Sequence, residues 1–196
     1  MTALLNLCAE AFDLPILDWI QANLKCGFLD FIMPLITLFG EGGVFWIAWA
    51  VILLLIPKYR KTGLSMGVAL ILGLLVCNVT LKPLVGRIRP YDYQESLGVY
   101  IQLLIERQHD FSFPSGHTIA SFEACTVLML HNKKMGIPAT ILAILVSFSR
   151  LYLYVHYPTD VLVSVVLGTA FGFLGTWIVK KLCQRFPAID GAKKAE

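Results

Sequence analysis

A small set of charged and nucleophilic residues stands out in a chain that is otherwise mostly apolar. Three long cations, two histidines and one carboxylate are the groups that phosphoryl transfer needs when no metal takes part. The cations would hold the phosphate, one histidine would attack, the other would move a proton, and the carboxylate would orient the attacker. In chain order the set reads Lys82, Arg89-Pro90, Pro114-Ser115-Gly116-His117, Ser149-Arg150, His156 and Asp160.

The rest of the chain makes these charges informative. Of its 196 residues, 57% are hydrophobic and only 15% are charged, and the apolar residues come in long runs. A soluble domain carries about a quarter charged residues, so the composition predicts an all-α, polytopic helical membrane protein with one domain over residues 1–196. A charge in a membrane segment costs roughly 3 kcal/mol on insertion scales, which points to a functional role for such residues.

Six apolar stretches predict about six transmembrane helices. Several are shorter than the roughly 20 residues of a straight crossing, so flanking residues must complete them. The first is the weakest, and a half-inserted helix is the alternative to a full span there. A polar stretch over residues 83–114 is expected to be the one long loop. The six stretches are 28–39, 44–56, 63–81, 115–130, 137–155 and 160–179.

The two ends of the chain are expected to lie outside the spans. Residues 1–25 repeat an apolar side chain every four positions, from Leu4 through Cys8 and Phe12 to Leu24, with a new helix start at Pro15. This pattern predicts an amphipathic segment at the membrane interface. Residues 186–196 are expected to form a cytoplasmic tail.

Basic residues at alternate span ends predict the orientation. If every stretch crosses, these residues share one side of the membrane, and the positive-inside rule makes that side cytoplasmic. The long loop and the turn at His156 then lie outside, so the charged motifs meet at the extracytoplasmic face of the cell membrane. The basic residues are Lys58, Arg60, Lys61, Lys133, Lys134, Lys180, Lys181 and Arg185.

Taken one at a time, the first motifs have simpler explanations. Lys82 and Arg89 stand at a span end, where long cations commonly extend to the interface. Ser115 is suited to cap a helix whose first N–H groups form a phosphate cradle, and Gly116 lets a ligand approach the backbone. His117 would stand beside that phosphate. An ordinary capped helix start with an interfacial histidine is the alternative.

The last motifs are harder to explain without a site. Arg150 lies within the fifth apolar stretch, where a lipid-facing guanidinium would be heavily penalised, so we expect it to face a polar cavity. His156 and Asp160 are four residues apart across a turn at Pro158. The carboxylate can accept a hydrogen bond from one imidazole nitrogen and leave the other free to attack. A helix-end His–Asp pair is the alternative.

Together the motifs resemble the signature of the type 2 phosphatidic acid phosphatase (PAP2) superfamily. The pattern Lys-x6-Arg-Pro, Pro-Ser-Gly-His and Ser-Arg-x5-His-x3-Asp fills every signature position between residues 82–160. The resemblance implies the helical core shared with acid phosphatases and vanadium haloperoxidases. It also implies a phosphatase of membrane lipid phosphates, similar to the short bacterial members.

The resemblance also implies roles for the residues. His156 would be the nucleophile, Asp160 its partner, and His117 the general acid and then the base, with neither a metal nor a cofactor. The expected substrate is undecaprenyl diphosphate at the outer face, with phosphatidylglycerophosphate and phosphatidate as alternatives. The phosphate-binding residues would be Lys82, Arg89, Ser115, Gly116 and Arg150.

Other functions fit the sequence less well. A haloperoxidase could use the same pocket for vanadate, but the spans and the outward site argue against it. A transporter of anions should carry charges to the bilayer midplane, whereas these cluster near one face. Nucleic acid is not expected as a partner, because no basic patch is interleaved with aromatic residues. The spacing Gly168-x3-Gly172 leaves a homodimer open.

The remaining polar and sulfur residues are expected to be peripheral. Arg87 has no motif position and is interpreted as a bystander. The five cysteines occur singly in apolar stretches, as small buried helix residues do, rather than as disulfide partners or metal ligands. A solvated loop is expected for Glu106, Arg107, His109 and Asp110.

Overall fold

The computed structural model describes residues 9–186, and this part of the chain is helical throughout, with connecting turns and loops. Residues 1–8 of the expected interfacial segment and residues 187–196 of the expected tail lie outside the described range. The α-helices are α1 (Leu14–Leu24), α2 (Gly27–Thr37), α3 (Val44–Leu55), α4 (Arg60–Gly73), α5 (Lys82–Val85), α6 (Pro90–Ser96), α7 (Gly116–His131), α8 (Lys133–Tyr152) and α9 (Pro158–Arg185).

Short non-α turns connect several of these helices. A π-helical segment, Leu74–Leu81, carries α4 into α5, and a 3-10 turn, Leu38–Gly43, joins α2 to α3. In that turn Gly42 and Gly43 have φ values of 55° and 67°, a left-handed conformation that glycine adopts without a steric penalty. The chain therefore breaks between α2 and α3 at the glycine-rich sequence.

The apolar stretches became helices close to their expected positions, but the expected count of six spans is not confirmed. Within residues 9–186, four helical stretches are long and apolar enough to cross a membrane. Helix α7, which corresponds to the expected stretch 115–130, is not among them and has only 16 residues. Large apolar side chains remain exposed on the outer helix faces, as lipid contact requires. The four stretches are Gly27–Leu55, Pro57–Ser96, Lys133–Tyr152 and Pro158–Arg185.

Helix α7 is the centre of the bundle and packs against α4, α8 and α9. Glycines on α9 allow this helix to approach α7 closely. A Cβ atom at Gly168 would lie 2.7 Å from the Ile119 carbonyl oxygen, and one at Gly172 would lie 2.6 Å from the Thr126 Cβ. Gly168-x3-Gly172 is thus used for packing within the chain.

The N-terminal segment packs on one end of the bundle. Leu14, Leu17 and Ile20 of α1 are buried in a cluster with the aromatic residues of the loop after α8. The helix starts at Leu14, next to the expected Pro15. Of the four cysteines in the described range, Cys26 is exposed and the other three are buried, so the expectation of burial is wrong for Cys26.

The basic turns gather at the opposite end of the bundle. The Thr62 hydroxyl lies 3.1 Å from His131 Nδ1, which brings the start of α4 beside the turn between α7 and α8. Further along, α9 runs away from the N-terminal segment toward its basic end at Arg185. The end that carries the turn at His156 is therefore separate from the end that carries the lysine-rich turns.

Candidate active site

Five helix ends and one loop bring the predicted site residues together. Arg89 precedes α6, Ser115 precedes α7, Arg150 lies in the last turn of α8, and Asp160 lies in the first turn of α9. His156 lies in the loop between α8 and α9, and it is 1% exposed. Residues that are up to 78 positions apart in the sequence (Lys82 to Asp160) thus share one end of the bundle.

The two nitrogens of the His156 ring face different groups. Nε2 lies 3.4 Å from an Arg89 guanidinium nitrogen, on the side of the predicted phosphate-binding cations. Nδ1 lies 3.6 Å from Asp160 Oδ2, which is longer than the hydrogen bond expected from the sequence. Burial, and next the positive charges of Arg89 and Arg150, hold the pKa of His156 well below its usual value. The imidazole is therefore neutral, with Nε2 directed at the cations.

The Asp160 carboxylate is completely buried, and several donors hold it. Its Oδ1 accepts a bond of 2.5 Å from Arg87, and its Oδ2 accepts bonds from the Ser112 hydroxyl and from the Tyr157 N–H, the latter at 3.0 Å. These donors replace the water contacts that the carboxylate loses on burial. They also fix the oxygen that faces His156.

Lys82 and Arg89 share a carboxylate that the sequence had not placed in the site. Both cations are ion-paired with Asp110, whose side chain remains 53% exposed. Arg89 also donates to the carbonyl oxygens of Asp110 and Val155, at 2.9 and 2.8 Å. Burial alone would raise the pKa of Asp110, but the two cations lower it below its usual range. The expectation of a merely solvated residue is therefore wrong for Asp110.

Arg150 is the third cation and is 1% exposed. One of its terminal nitrogens donates to the Thr37 hydroxyl at 2.6 Å. Its Nε and second terminal nitrogen are buried without a hydrogen-bond partner. Since a buried donor without a partner is costly, this guanidinium is prepared to receive an anion.

Ser115 and Gly116 form the start of α7 beside these cations. Ser115 takes the N-cap position, but its side chain makes no capping bond; its Oγ accepts from Thr118 at 3.1 Å instead. The Ser115 N–H donates to Ser164 at 2.8 Å. A Cβ atom at Gly116 would lie 3.2 Å from Asn78 Oδ1. The absence of a side chain at Gly116 keeps this helix start accessible.

His117 lines the same cavity as His156 and is the second residue of α7. Its Nε2 is 3.3 Å from Glu41 Oε2, without the geometry of a hydrogen bond. A Cβ atom at Gly40 would lie only 2.6 Å from His117 Cδ2. The glycine-rich turn between α2 and α3 therefore packs directly on this imidazole.

A cavity of about 560 Å³ joins the polar site to an apolar groove. Its polar end is lined by both histidines and all three cations, and its apolar end is lined by side chains from α3 and α4. Such a shape suits a phosphate with a hydrocarbon chain attached. The apolar lining includes Ile47, Val51 and Leu54 from α3, and Leu64, Val68 and Ile71 from α4.

Comparison with known proteins gives the family. The signature of the PAP2 superfamily matches residues 62–183 of the chain. The chain belongs to the PAP2 superfamily. A protein of Sulfolobus acidocaldarius named undecaprenyl-diphosphatase is 32% identical over 166 residues, which cover 82% of this chain and 78% of the relative.

Two solved structures show the same fold as this PAP2 protein. The crystal structure of Aquifex aeolicus LpxE has a TM-score of 0.73 at 25% identity, and covers 84% of this chain and 94% of that one. The transmembrane PAP2-type phosphatidylglycerolphosphate phosphatase of Bacillus subtilis has a TM-score of 0.60 at 28% identity, with coverages of 88% and 82%. The chain is thus an all-helical membrane lipid phosphatase, and the predicted enzyme class is confirmed.

Sequence reasoning missed several residues of this PAP2 site. Arg87, interpreted as a bystander, is bonded to Asp160. Asp13, outside the matched residues, is bonded to Arg87 at 2.6 Å. Asp110 and Glu41 were not predicted to belong to the site either, because nothing in their local sequence shows which distant side chain each one contacts. Within residues 9–186, no three His, Cys, Asp or Glu side chains are grouped as metal ligands.

Proposed function

We propose that the protein hydrolyses undecaprenyl diphosphate to undecaprenyl phosphate and inorganic phosphate through a phosphohistidine on His156. The observation that carries this proposal is the placement of the imidazole. Its Nε2 faces the cations at 3.4 Å from Arg89, and its Nδ1 faces a buried carboxylate. A neutral ring held between cations and a carboxylate is suited to attack phosphorus.

In the first step, His156 Nε2 attacks the terminal phosphorus. The Nε2–P bond forms while the bond from phosphorus to the bridging oxygen breaks, and the electron pair of that bond leaves with the lipid phosphate. His117, which lines the same cavity, supplies a proton to the leaving oxygen when the oxygen requires one. The ring becomes positively charged, and the Asp160 carboxylate behind Nδ1 stabilises that charge.

In the second step, water completes the hydrolysis. His117 takes a proton from a water molecule, whose oxygen attacks phosphorus as the Nε2–P bond breaks. The electron pair returns to His156, and inorganic phosphate leaves. The same imidazole thus acts as an acid and then as a base.

The three cations carry the charge on the transferred group. Lys82, Arg89 and Arg150 surround the place where the equatorial oxygens would lie, and they take the part that Mg²⁺ has in kinases. Since Lys82 and Arg89 hold Asp110 in the free protein, the substrate phosphate would displace that carboxylate. Ser115 and Gly116 would add the N–H groups at the start of α7.

The choice of lipid rests on the relatives and on the expected orientation. The Sulfolobus relative is named an undecaprenyl-diphosphatase, and the apolar groove accepts a hydrocarbon chain. If the lysine-rich turns are cytoplasmic, the site faces the outer leaflet, where polyprenyl diphosphate is released by cell-wall polymerisation.

Orientation is tested with single cysteines in a cysteine-free variant. Ser96 and Gln184 are exposed at opposite ends of the bundle. Ser96→Cys should react with an impermeant thiol reagent in intact cells or spheroplasts, and Gln184→Cys should react only after lysis. The reverse pattern would place the site in the cytoplasm and remove the argument from the outer leaflet.

Phosphatidylglycerophosphate is the second candidate, because the Bacillus subtilis structure is a phosphatase of that lipid. Specificity constants for it, undecaprenyl diphosphate and phosphatidate should be measured in one detergent, with the His156→Ala variant as the control for contaminating phosphatases. We expect the highest value for undecaprenyl diphosphate. A value at least about tenfold higher for phosphatidylglycerophosphate, equivalent to about 1.4 kcal/mol, would replace the cell-wall substrate with the phospholipid.

A further inference from the structure

We propose that Arg87 and Asp13 are positioning residues that hold the Asp160 carboxylate behind His156. This inference rests on the proposed reaction at His156, but not on which lipid is its substrate. It makes the N-terminal segment, which lies outside the matched residues 62–183, a working part of the site.

Arg87 is a buried link between two buried carboxylates. It donates to Asp160 Oδ1 at 2.5 Å and to Asp13 Oδ2 at 2.6 Å, and its side chain is only 3% exposed. The centre of the guanidinium also stacks on the Tyr157 ring at 3.8 Å. With the ring on one face and carboxylates at both terminal nitrogens, the guanidinium has one orientation, and so has the carboxylate it binds.

Asp13 connects this link to the backbone of α9. Its Oδ1 accepts the Thr159 N–H at 2.9 Å, and its Oδ2 accepts the Thr159 hydroxyl at 2.7 Å. Arg87 also donates to that hydroxyl, at 2.8 Å. Thr159 directly precedes Asp160 in the first turn of α9, where a negative charge is favourable. Asp13 therefore fixes both the guanidinium and the helix turn that carries Asp160.

The arrangement determines which Asp160 oxygen reaches His156. Arg87 occupies Oδ1, and Oδ2 is left for the Ser112 hydroxyl, the Tyr157 N–H and the imidazole. Without Arg87, two buried carboxylates would face each other, and one of them would take up a proton. Either event would turn the carboxylate away from Nδ1 or neutralise it as the ring gains positive charge.

A purely structural role would be to fasten the N-terminal segment to the bundle. Asp18 provides the matched control, because it fastens the same segment without touching Asp160. It lies on α1 and accepts a bond of 2.6 Å from the Tyr154 hydroxyl. Asp13→Asn and Asp18→Asn each replace a carboxylate by an uncharged amide of similar shape. Comparing the two variants therefore separates attachment of the N-terminal segment from positioning of Asp160.

The test measures kcat and KM for Asp13→Asn, Asp18→Asn, Arg87→Gln and Arg87→Lys in detergent. We expect kcat to fall about 10-fold in Asp13→Asn and about 100-fold in Arg87→Gln, as for other residues that orient a catalytic group. KM should stay within about twofold, since the cations that bind phosphate are unaffected. Arg87→Lys should recover part of the kcat, and Asp18→Asn should retain it.

A readout without substrate distinguishes failure of this inference from failure of the proposed substrate. The 15N spectrum of histidine-labelled protein reports the tautomer of His156. We expect one Nδ1–H tautomer in the wild type and a mixture in Asp13→Asn and Arg87→Gln. An unchanged tautomer with unchanged kcat, or an equal loss in Asp18→Asn, would overturn the positioning role. If Arg87→Gln does not fold, Asp13→Asn alone decides.

Discussion

Two clusters of opposite charges lie on the two sides of the His156 imidazole, and they differ in how completely they are paired. The rear cluster behind Nδ1 is closed: its side chains are at most 3% exposed, and each carboxylate meets Arg87. The front cluster beside Nε2 is open, with a carboxylate 53% exposed and an arginine that has unpaired nitrogens. The rear cluster is Asp13, Arg87 and Asp160; the front cluster is Lys82, Arg89, Asp110 and Arg150.

The difference shows what a buried charge is used for. Burying ions costs several kcal/mol each, and pairing them often does no more than offset that cost. The rear cluster therefore contributes little net stability, and its use is the fixed direction of one carboxylate. The front cluster keeps binding capacity for an anion, because Asp110 can be displaced into solvent.

The largest effect is expected where the two clusters meet. His156→Ala removes the proposed nucleophile, so kcat should fall by about 1000-fold or more. His131→Ala, at the other end of the bundle, should keep kcat within about twofold. Phosphate release from lipid substrate in detergent measures both. Substantial activity in His156→Ala would place the chemistry elsewhere.

Removing His117 should separate substrates by their leaving groups. An alcohol oxygen leaves as a strong base and needs a proton, whereas a phosphate oxygen leaves as a weak one. His117→Ala should therefore lower kcat/KM by about 1000-fold for phosphatidate and by about 10-fold for undecaprenyl diphosphate. This ratio reports the first step alone. Equal losses for the two lipids would argue against His117 as the acid of that step.

A smaller effect is expected in the front cluster, where one substitution should strengthen the binding of vanadate. Asp110→Asn should lower the inhibition constant of vanadate by about threefold to tenfold, because Lys82 and Arg89 no longer hold a competing carboxylate. Asp92→Asn is the control, since Asp92 pairs with Arg107 at 3.6 Å outside the site. Weaker vanadate inhibition in Asp110→Asn would mean that the carboxylate organises the cations for phosphate.

Metal removal should have the smallest effect. In the proposed mechanism the cations of the front cluster neutralise the phosphate, so EDTA should leave kcat unchanged within about twofold. The measurement compares dialysed protein with and without EDTA, followed by addition of a divalent metal. Loss of activity that the metal restores would contradict the metal-free mechanism.

The helices and the motif positions could be predicted because both depend on local sequence. Long apolar runs predict the helices. A histidine four residues before an aspartate predicts that the two side chains lie close together at the start of a helix. The number of spans was harder to predict, since hydropathy does not show whether the short helices α2 and α3 cross separately or whether α7, with 16 residues, crosses at all.

The partners of the charges could not be predicted in the same way. Asp110 is 28 residues from Lys82, and Arg87 is 74 residues from Asp13. A charged side chain in a polar loop is usually solvated, and only the folded bundle shows that Asp110 reaches the cations. For Arg87, the neighbouring Arg89 carried the motif, and nothing local marked its contact with Asp160.

The most direct test of the account is to trap the phosphoryl group on His156. The His117→Ala variant should form the intermediate from undecaprenyl diphosphate but hydrolyse it slowly. The variant is turned over with 32P-labelled substrate and quenched rapidly in base, so that the phosphohistidine survives. The 32P retained on the protein measures the intermediate, and mass spectrometry of its peptides locates the phosphorylated residue. We predict phosphohistidine at His156 in the His117→Ala variant. The double variant His117→Ala, His156→Ala should carry none. A variant that releases labelled phosphate with no label on His156, or with the label on another residue, would contradict the central claim.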